Sequence, residues 1–348
     1  MQRTLEEKIA DIKETLRSKR VDKLAQFDVK NGEEDGNPYH RAYLDKTKAD
    51  MGALFKKDAW ADLDSWEKLC CYKISGSKGV DCDAALRSTV IYQMVFGYDS
   101  PKIEQYKQGY YQLQCREFTL HGDTMNSYNT TVHEFLRTYG HEEDRVAGFL
   151  VKVGNVWGTR NLADANWEVC ILENYEYFSK IIPPAAKEFF RLYHTVGNFC
   201  PIPNRLNNPR GYNSNSKDYW DLALLCIYYD YCQGHNLKYT LEWLFKEDAG
   251  LCRDWLKNFG EGQSGWDNFV ERNFLQDFVN QTDGHYGPPK ELWKGHFANS
   301  VMPQKADFDQ FFTNASAWIA ARGIRIALAV KKVLAAEEGE TGAAKATP

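Results

Sequence analysis

The stretch HTVGNFCPIPNRLNNPRGYNSNSKDYWDLALL, residues 194–225, gathers a histidine, two arginines, six asparagines and two carboxylates. Each type has a chemistry. His194 titrates near neutrality and suits acid/base work. Arg205 and Arg210 offer planar forks that grip phosphate or carboxylate through two parallel hydrogen bonds. Asn198 and Asn204 would add amide donors to a bound anion, although asparagine between prolines is also ordinary turn chemistry. Asp218 and Asp221 stand three residues apart, where they could orient an arginine or hold a divalent metal such as Mg²⁺.

A second group is HGDTMNS, residues 121–127. Here His121, Asp123, Thr124 and Ser127 crowd a strand-to-helix junction, and the free N–H groups of a helix start attract anions. His121 and Asp123 are therefore candidate acid/base residues beside His194. The plainer alternative is that Asp123, Thr124 or Ser127 caps the following helix.

These residues need elements to hold them. EFFRLY, 188–193, is the end of an apolar helix that His194 closes, with Gly197 expected in a left-handed cap. Past the polar run, Tyr219, Trp220, Leu222, Leu224, Leu225 and Ile227 are apolar nearly all round a helix, which places it in the interior. Asp218 and Asp221 on such a helix must meet a cation or line a polar cavity, because an unpaired buried carboxylate costs several kcal/mol. Arg210 is the near neighbour in sequence. In WIAARGIRIALAV, Arg322 and Arg325 interrupt another apolar run and call for acidic partners, with Asp218, Asp221 or Asp277 as candidates.

Elsewhere the helical period dominates. An amphipathic helix spans 4–25 behind Thr4, and further helices are expected near 42–74, 83–96, 127–140, 162–182, 185–193, 216–233, 238–258, 264–281 and 306–336. DSPKIEQYKQGYY carries a helix-start signature with Pro101 in the first turn. CREFTLHGD reads as a short strand and 145–158 as a short strand pair, while 287–303 reads as a proline-containing loop. Residues 1–40 form a helix and polar loop, 41–336 the main domain, and 337–348 a small, polar, disordered tail.

Composition sets the bounds. With 348 residues, 43% hydrophobic, the chain can bury a large core. A net charge of −5 argues against bulk sequence-independent DNA binding. The nine cysteines are odd in number and form no CxxC pair, so neither a disulfide framework nor a zinc ribbon is signalled, and a reducing cytoplasm is expected. No apolar leader and no run of 18 apolar residues is seen. GxGxxG, GxxxxGK[ST], HExxH and GxSxG are absent, which excludes the common nucleotide-loop, zincin and hydrolase signatures.

The series HTVGNFxPIPNRLNNxRG, DYWDLxL, NFLQDFV and ARGIRI, preceded by YDSPKIEQYKQGYY and GDTMNS, resembles an uncharacterised bacterial family of unknown function over roughly residues 98–328. That resemblance brings no activity. A looser likeness joins His194, Gly197, Asn198, Asn207 and Lys217 to the HNH-type domain of modification-dependent restriction enzymes, which implies metal-dependent DNA cleavage. That motif has an upstream EHIxP, and this chain has no histidine between His141 and His194.

The expected fold is α+β, predominantly α-helical, in a single globular body with a small β element. Three functions are carried forward. The first is an enzyme acting on, or a protein binding, a nucleotide or nucleic-acid phosphate in a defence or toxin setting. There His194, His121 and Asp123 would serve as acid/base, and Asn198, Asn204, Arg205, Arg210, Asp218 and Asp221 as the ligand set. The second is a non-catalytic scaffold whose buried Arg/Asp/Asn network specifies the fold. The third is a sensor for a small anion.

Overall fold

A computed structural model describes residues 3–27, 84–96, 98, 101–107, 109–126, 183–206, 219–232, 238–298 and 304–345, with side chains through 339. The helices expected near 42–74, 127–140 and 162–182, the strand pair at 145–158, and Asn207, Arg210, Lys217 and Asp218 lie outside the described residues.

The chain begins with α1 (Leu5–Ser18), started by a reciprocal cap: Glu7 N donates to Thr4 Oγ1 at 3.2 Å, and Thr4 N donates to Glu7 Oε2 at 2.7 Å. Extended backbone at Lys19 and Arg20 breaks the expected single helix, and α2 (Val21–Ala25) follows. Then come α3 (Leu86–Val95) and three strands, β1 (Lys102–Lys107), β2 (Tyr110–Cys115) and β3 (Phe118–Thr124). After α4 (Pro184–Leu192), β4 (Phe199–Pro203) completes an antiparallel sheet of order β1-β2-β3-β4.

Next are α5 (Trp220–Cys232), α6 (Leu241–Phe245), α7 (Ala249–Leu256) and α8 (Gly262–Arg272). The hairpin β5 (Val279–Thr282) and β6 (His285–Pro289) leads to α9 (Lys305–Lys345). The protein is thus α+β and predominantly α-helical, with one buried cluster running from Ile12 to Leu334.

α9 organises the body. Its 41 residues span roughly 60 Å at 1.5 Å per residue. Phe308, Phe311, Phe312, Ala315, Ile319, Ile326, Val330 and Leu334 recur at three- and four-residue steps and are all buried. Burying each large side chain stabilises the fold by roughly 1.5–3 kcal/mol. Two glycines let other segments come close. A Cβ on Gly323 would lie 2.5 Å from Ala25 O, and one on Gly197 would lie 2.2 Å from Ile319 O. Gly197 is therefore needed for packing against α9. It sits in a short 3-10 turn (Val196–Asn198) and does not form the left-handed cap its position suggests.

Four further expectations change. Pro101 opens a strand, because Ile103 pairs with Leu113 and Glu104 with Gln112 across β1 and β2. PIP, 201–203, belongs to β4, paired through Leu120↔Pro203 and Thr124↔Phe199, where an outermost strand of the sheet tolerates proline's missing N–H. The helix expected over 264–281 stops at Arg272. Asp283 (φ 50°) and Gly284 (φ 84°) then turn the β5–β6 hairpin, whose β6 takes the first residues of the loop expected over 287–303. Finally, α9 continues to Lys345 through residues that composition assigned to a disordered tail. Arg17 pairs with Glu337 and Glu338 there, although Gly339, Thr341 and Gly342 are weak helix formers.

Candidate functional site

The residues singled out by the sequence separate into an interior group and scattered surface positions. Asn198 is fully buried. Its Oδ1 accepts from Asn126 N at 3.0 Å, and its Nδ2 donates to Tyr193 O at 3.0 Å and Asn126 O at 3.3 Å. That amide clamps the end of β3 to the start of β4. Asp123 is buried on β3 opposite Cys200. His121 is half-buried on the same strand. Its ring stacks on Tyr106 at 5.1 Å, its Nε2 meets Gln112 Oε1 at 3.2 Å, and burial lowers its pKa, which keeps the ring neutral.

His194 follows α4 and is half-buried beside the Tyr193 ring. Asn204 is exposed and is fixed through its backbone N to Thr119 O at 2.9 Å. Arg205 is exposed, and its Nη2 pairs with Asp248 Oδ1 at 2.5 Å. The strand register sets His121 opposite Ile202 and Asp123 opposite Cys200, with Asn198 just before β4, while Arg205 engages a carboxylate elsewhere.

Asp221 answers the question its position poses, with a partner the sequence did not suggest. The carboxylate is 1% exposed. Oδ1 accepts from Leu222 N at 2.9 Å, and Oδ2 accepts from Leu292 N at 2.9 Å and His296 Nδ1 at 2.6 Å. The His296 ring lies on Trp293 with centroids 3.5 Å apart and meets Tyr219 edge-on at 5.2 Å. Nε2 has no hydrogen-bond partner among the described residues.

Arg322 departs further from expectation, because its described hydrogen bonds go to carbonyls and none to a carboxylate. Nε donates to Asn273 O at 3.0 Å, and Nη1 reaches Gly197 O at 3.0 Å and Phe199 O at 2.7 Å. Four oxygens, counting Val196 O at 3.3 Å, tie the Asn198 turn and the end of α8 to α9. Arg325 behaves as expected, with Nε donating to Asp277 Oδ2 at 2.7 Å.

An open concavity among the described residues lies elsewhere, where the β2–β3 hairpin meets α7 and the last turn of α8. It has a volume of about 220 Å³. Phe118 and Leu120, alternate residues of β3, face it together with Cys115 from the end of β2, Trp255 from α7 and Tyr98 from beyond α3. Asn258 and two guanidinium groups complete the lining. Arg116 occupies the first position of the two-residue hairpin turn at φ 51°, and Arg272 is the last residue of α8, where the helix dipole favours a cation. Both arginines are exposed, whereas Cys115, Phe118, Leu120 and Trp255 are buried.

The electrostatics of this cavity are one-sided. Among the described residues, no carboxylate lines it. Arg272 makes one long bond, from Nη1 to Asn258 O at 3.4 Å. Burial pushes the Cys115 thiol up to about 12. Burial also holds Tyr98 well above the ordinary phenol range, reinforced by the Cys200 and Cys115 sulfurs and opposed by the Trp255 indole and Arg272. Both weak acids in the wall therefore keep their protons at neutral pH.

Sequence reading did not point here, since the lining comes from positions 98, 115–120, 255–258 and 272. Among the described residues, no group of three or more His, Cys, Asp and Glu could hold a metal ion, and no helix is long and apolar enough to cross a membrane. No family model, no curated protein and no solved structure matches the chain.

Proposed function

We propose that the protein binds a small anionic ligand in the cavity between the β2–β3 hairpin, α7 and α8. The observation that carries this reading is a concave site with Arg116 and Arg272 at its mouth, no described carboxylate in its lining, and its two weak acids held neutral. An anion there gains charge-assisted hydrogen bonds from the guanidinium groups. Binding rather than turnover fits the lining. None of the described histidines faces the cavity, and Tyr98 and Cys115 are poor bases while protonated. The polar series around Asn198, Asp221 and Arg322 then serves to specify the fold.

A nucleotide or nucleic-acid phosphate belongs to the same anion class, and acid/base work by His121, Asp123 or His194 would need a substrate outside this cavity. Titration calorimetry separates these readings. The panel is inorganic phosphate, AMP, a short single-stranded RNA and small carboxylates, against the native protein, Arg272→Gln and Arg205→Gln. Binding weakened about tenfold or more by Arg272→Gln and unchanged by Arg205→Gln is the expected result. Anion binding indifferent to Arg272, or turnover of RNA or AMP abolished by His194→Ala, would overturn the proposal.

A further inference from the structure

On the premise that this cavity is the anion site, the donors in its wall narrow the ligand. We infer that it takes a tetrahedral oxyanion, a phosphate or sulfate group free or on a small alcohol, recognised by Trp255 and Arg272.

The polar groups of the wall are unequally engaged. Asn258 Nδ2 donates to Trp255 O at 2.8 Å and to Asp254 O at 3.5 Å. The Tyr98 hydroxyl reaches Pro201 O at 3.4 Å, beyond the usual range for an O–H donor. Trp255 is 2% exposed, and its indole Nε1 has no hydrogen-bond partner among the described residues. A buried indole N–H ordinarily finds an acceptor, and one left unmet costs stability that a ligand oxygen would restore.

The donors converge. The Trp255 indole and the Arg272 guanidinium both lie where they favour ionisation of the Tyr98 hydroxyl, although no hydrogen bond joins the indole to it. All three residues line the same cavity. An N–H buried in the wall and a guanidinium exposed to solvent therefore address one small volume from different sides. A carboxylate presents two oxygens in one plane, on one side of its carbon. A phosphate or sulfate presents oxygens in several directions, so one accepts from the indole while others take the planar fork of Arg272.

Size agrees. A cavity of about 150 Å³ holds benzene, and drug-sized ligands occupy pockets of about 300 Å³ and more. At about 220 Å³, this cavity accommodates the oxyanion with a short alcohol, whereas the base and ribose of a nucleotide stay outside.

NMR of the full chain with ¹⁵N-labelled tryptophan tests the inference, with inorganic phosphate, methyl phosphate, sulfate and acetate as probes. The Trp255 indole signal is the one lost in Trp255→Phe. If that variant does not fold, Overhauser contacts to the Phe259 and Phe269 rings assign the signal in the native chain. At least one tetrahedral ion is expected to bind about tenfold or more tightly than acetate. It should also move the Trp255 indole proton downfield, as a new hydrogen bond does. Arg272→Gln should weaken that binding about tenfold, and so should Trp255→Phe, with thermal unfolding as the check that each variant is folded.

Acetate binding as tightly as the tetrahedral ions would overturn the inferred class while the anion site stands. Phosphate binding that needs Arg272 and leaves the Trp255 indole signal unmoved would do the same. If no probe binds, or if binding ignores Arg272, both readings fall.

Discussion

Two places in this molecule bring charge next to aromatic rings, and they do opposite things with it. Around Asp221, the oxygens are met by two backbone N–H groups and His296, and Trp293 and Tyr219 enclose the imidazole. Around Arg116 and Arg272, the rings lie beneath the charges, the guanidinium groups stand in solvent, and no described carboxylate shares the cavity. A charge satisfied by its own fold contributes to specifying that fold. An exposed charge lining a concavity can meet a ligand from solvent. Each place can be broken independently, and the size and kind of damage should differ.

The largest effect belongs to the interior. Asp221→Ala leaves the Leu292 N–H and His296 Nδ1 buried without their acceptor. Removing one partner of a buried charged network costs about 3–5 kcal/mol. A urea titration should show the midpoint falling accordingly, or no folded protein at all. A loss under about 1 kcal/mol would mean that water reaches this carboxylate. Arg322→Met comes next at roughly 3 kcal/mol, because four carbonyls from the Asn198 turn and α8 lose a shared donor that no methionine replaces. Full stability retained in that variant would show that the carbonyl cage is not what fastens the turn to α9.

The cavity should respond in the other currency. Arg272→Gln is expected to change stability by no more than about 0.5 kcal/mol, as exposed substitutions do, while weakening anion binding about tenfold. If Arg272→Gln destabilised the fold as Arg322→Met does, the distinction between the two regions would be lost.

This division was half legible in the sequence. The apolar surroundings of Asp221 on α5 declare its burial, because a polar residue on an all-apolar helix has nowhere wet to point. Its partner was not legible. His296 lies 75 residues further on in a loop, and only the fold brings Leu292 N and His296 Nδ1 to one oxygen. Arg322 misled for a physical reason: a guanidinium carries five donors, and carbonyl oxygens satisfy them as well as a carboxylate does. β4 was hidden by its prolines, which read as turn residues until an outermost strand is available to hold them. The Asp283–Gly284 dipeptide was readable as a hairpin turn, but the apolar run before it held the helical period too long. The cavity was beyond sequence reach, since four separated segments must meet before any concavity exists.

A smaller effect appears at high pH. Cys115 is buried as a thiol, its pKa pushed from 9.0 to about 12 by burial. Below pH 9 both the folded and unfolded chains keep the proton, and the stabilisation is intact. Between pH 9 and about 12 the unfolded chain gives it up first, so stability falls as pH rises. Tyr98 and Cys232 act in the same direction, Cys232 at about 11. Cys115→Val should make the decline in urea midpoint over this window shallower. An unchanged slope would show that the thiol is solvated and that the cavity floor is wetter than its lining suggests.

A further small change separates structure from ligand. Arg116 holds φ at 51° in the first position of a two-residue turn, where glycine is favoured. A left-handed non-glycine backbone costs of the order of 1 kcal/mol or more. Arg116→Gly removes that strain and adds the entropy of a freer unfolded chain, so its net effect on stability should be slight, within about 1 kcal/mol and toward greater stability. The same substitution deletes a guanidinium at the cavity mouth, so anion binding should weaken. A more stable protein that binds less well would show that the strain is held for the ligand. A variant that is more stable and binds unchanged would confine Arg116 to the turn and leave Arg272 as the residue that makes the site.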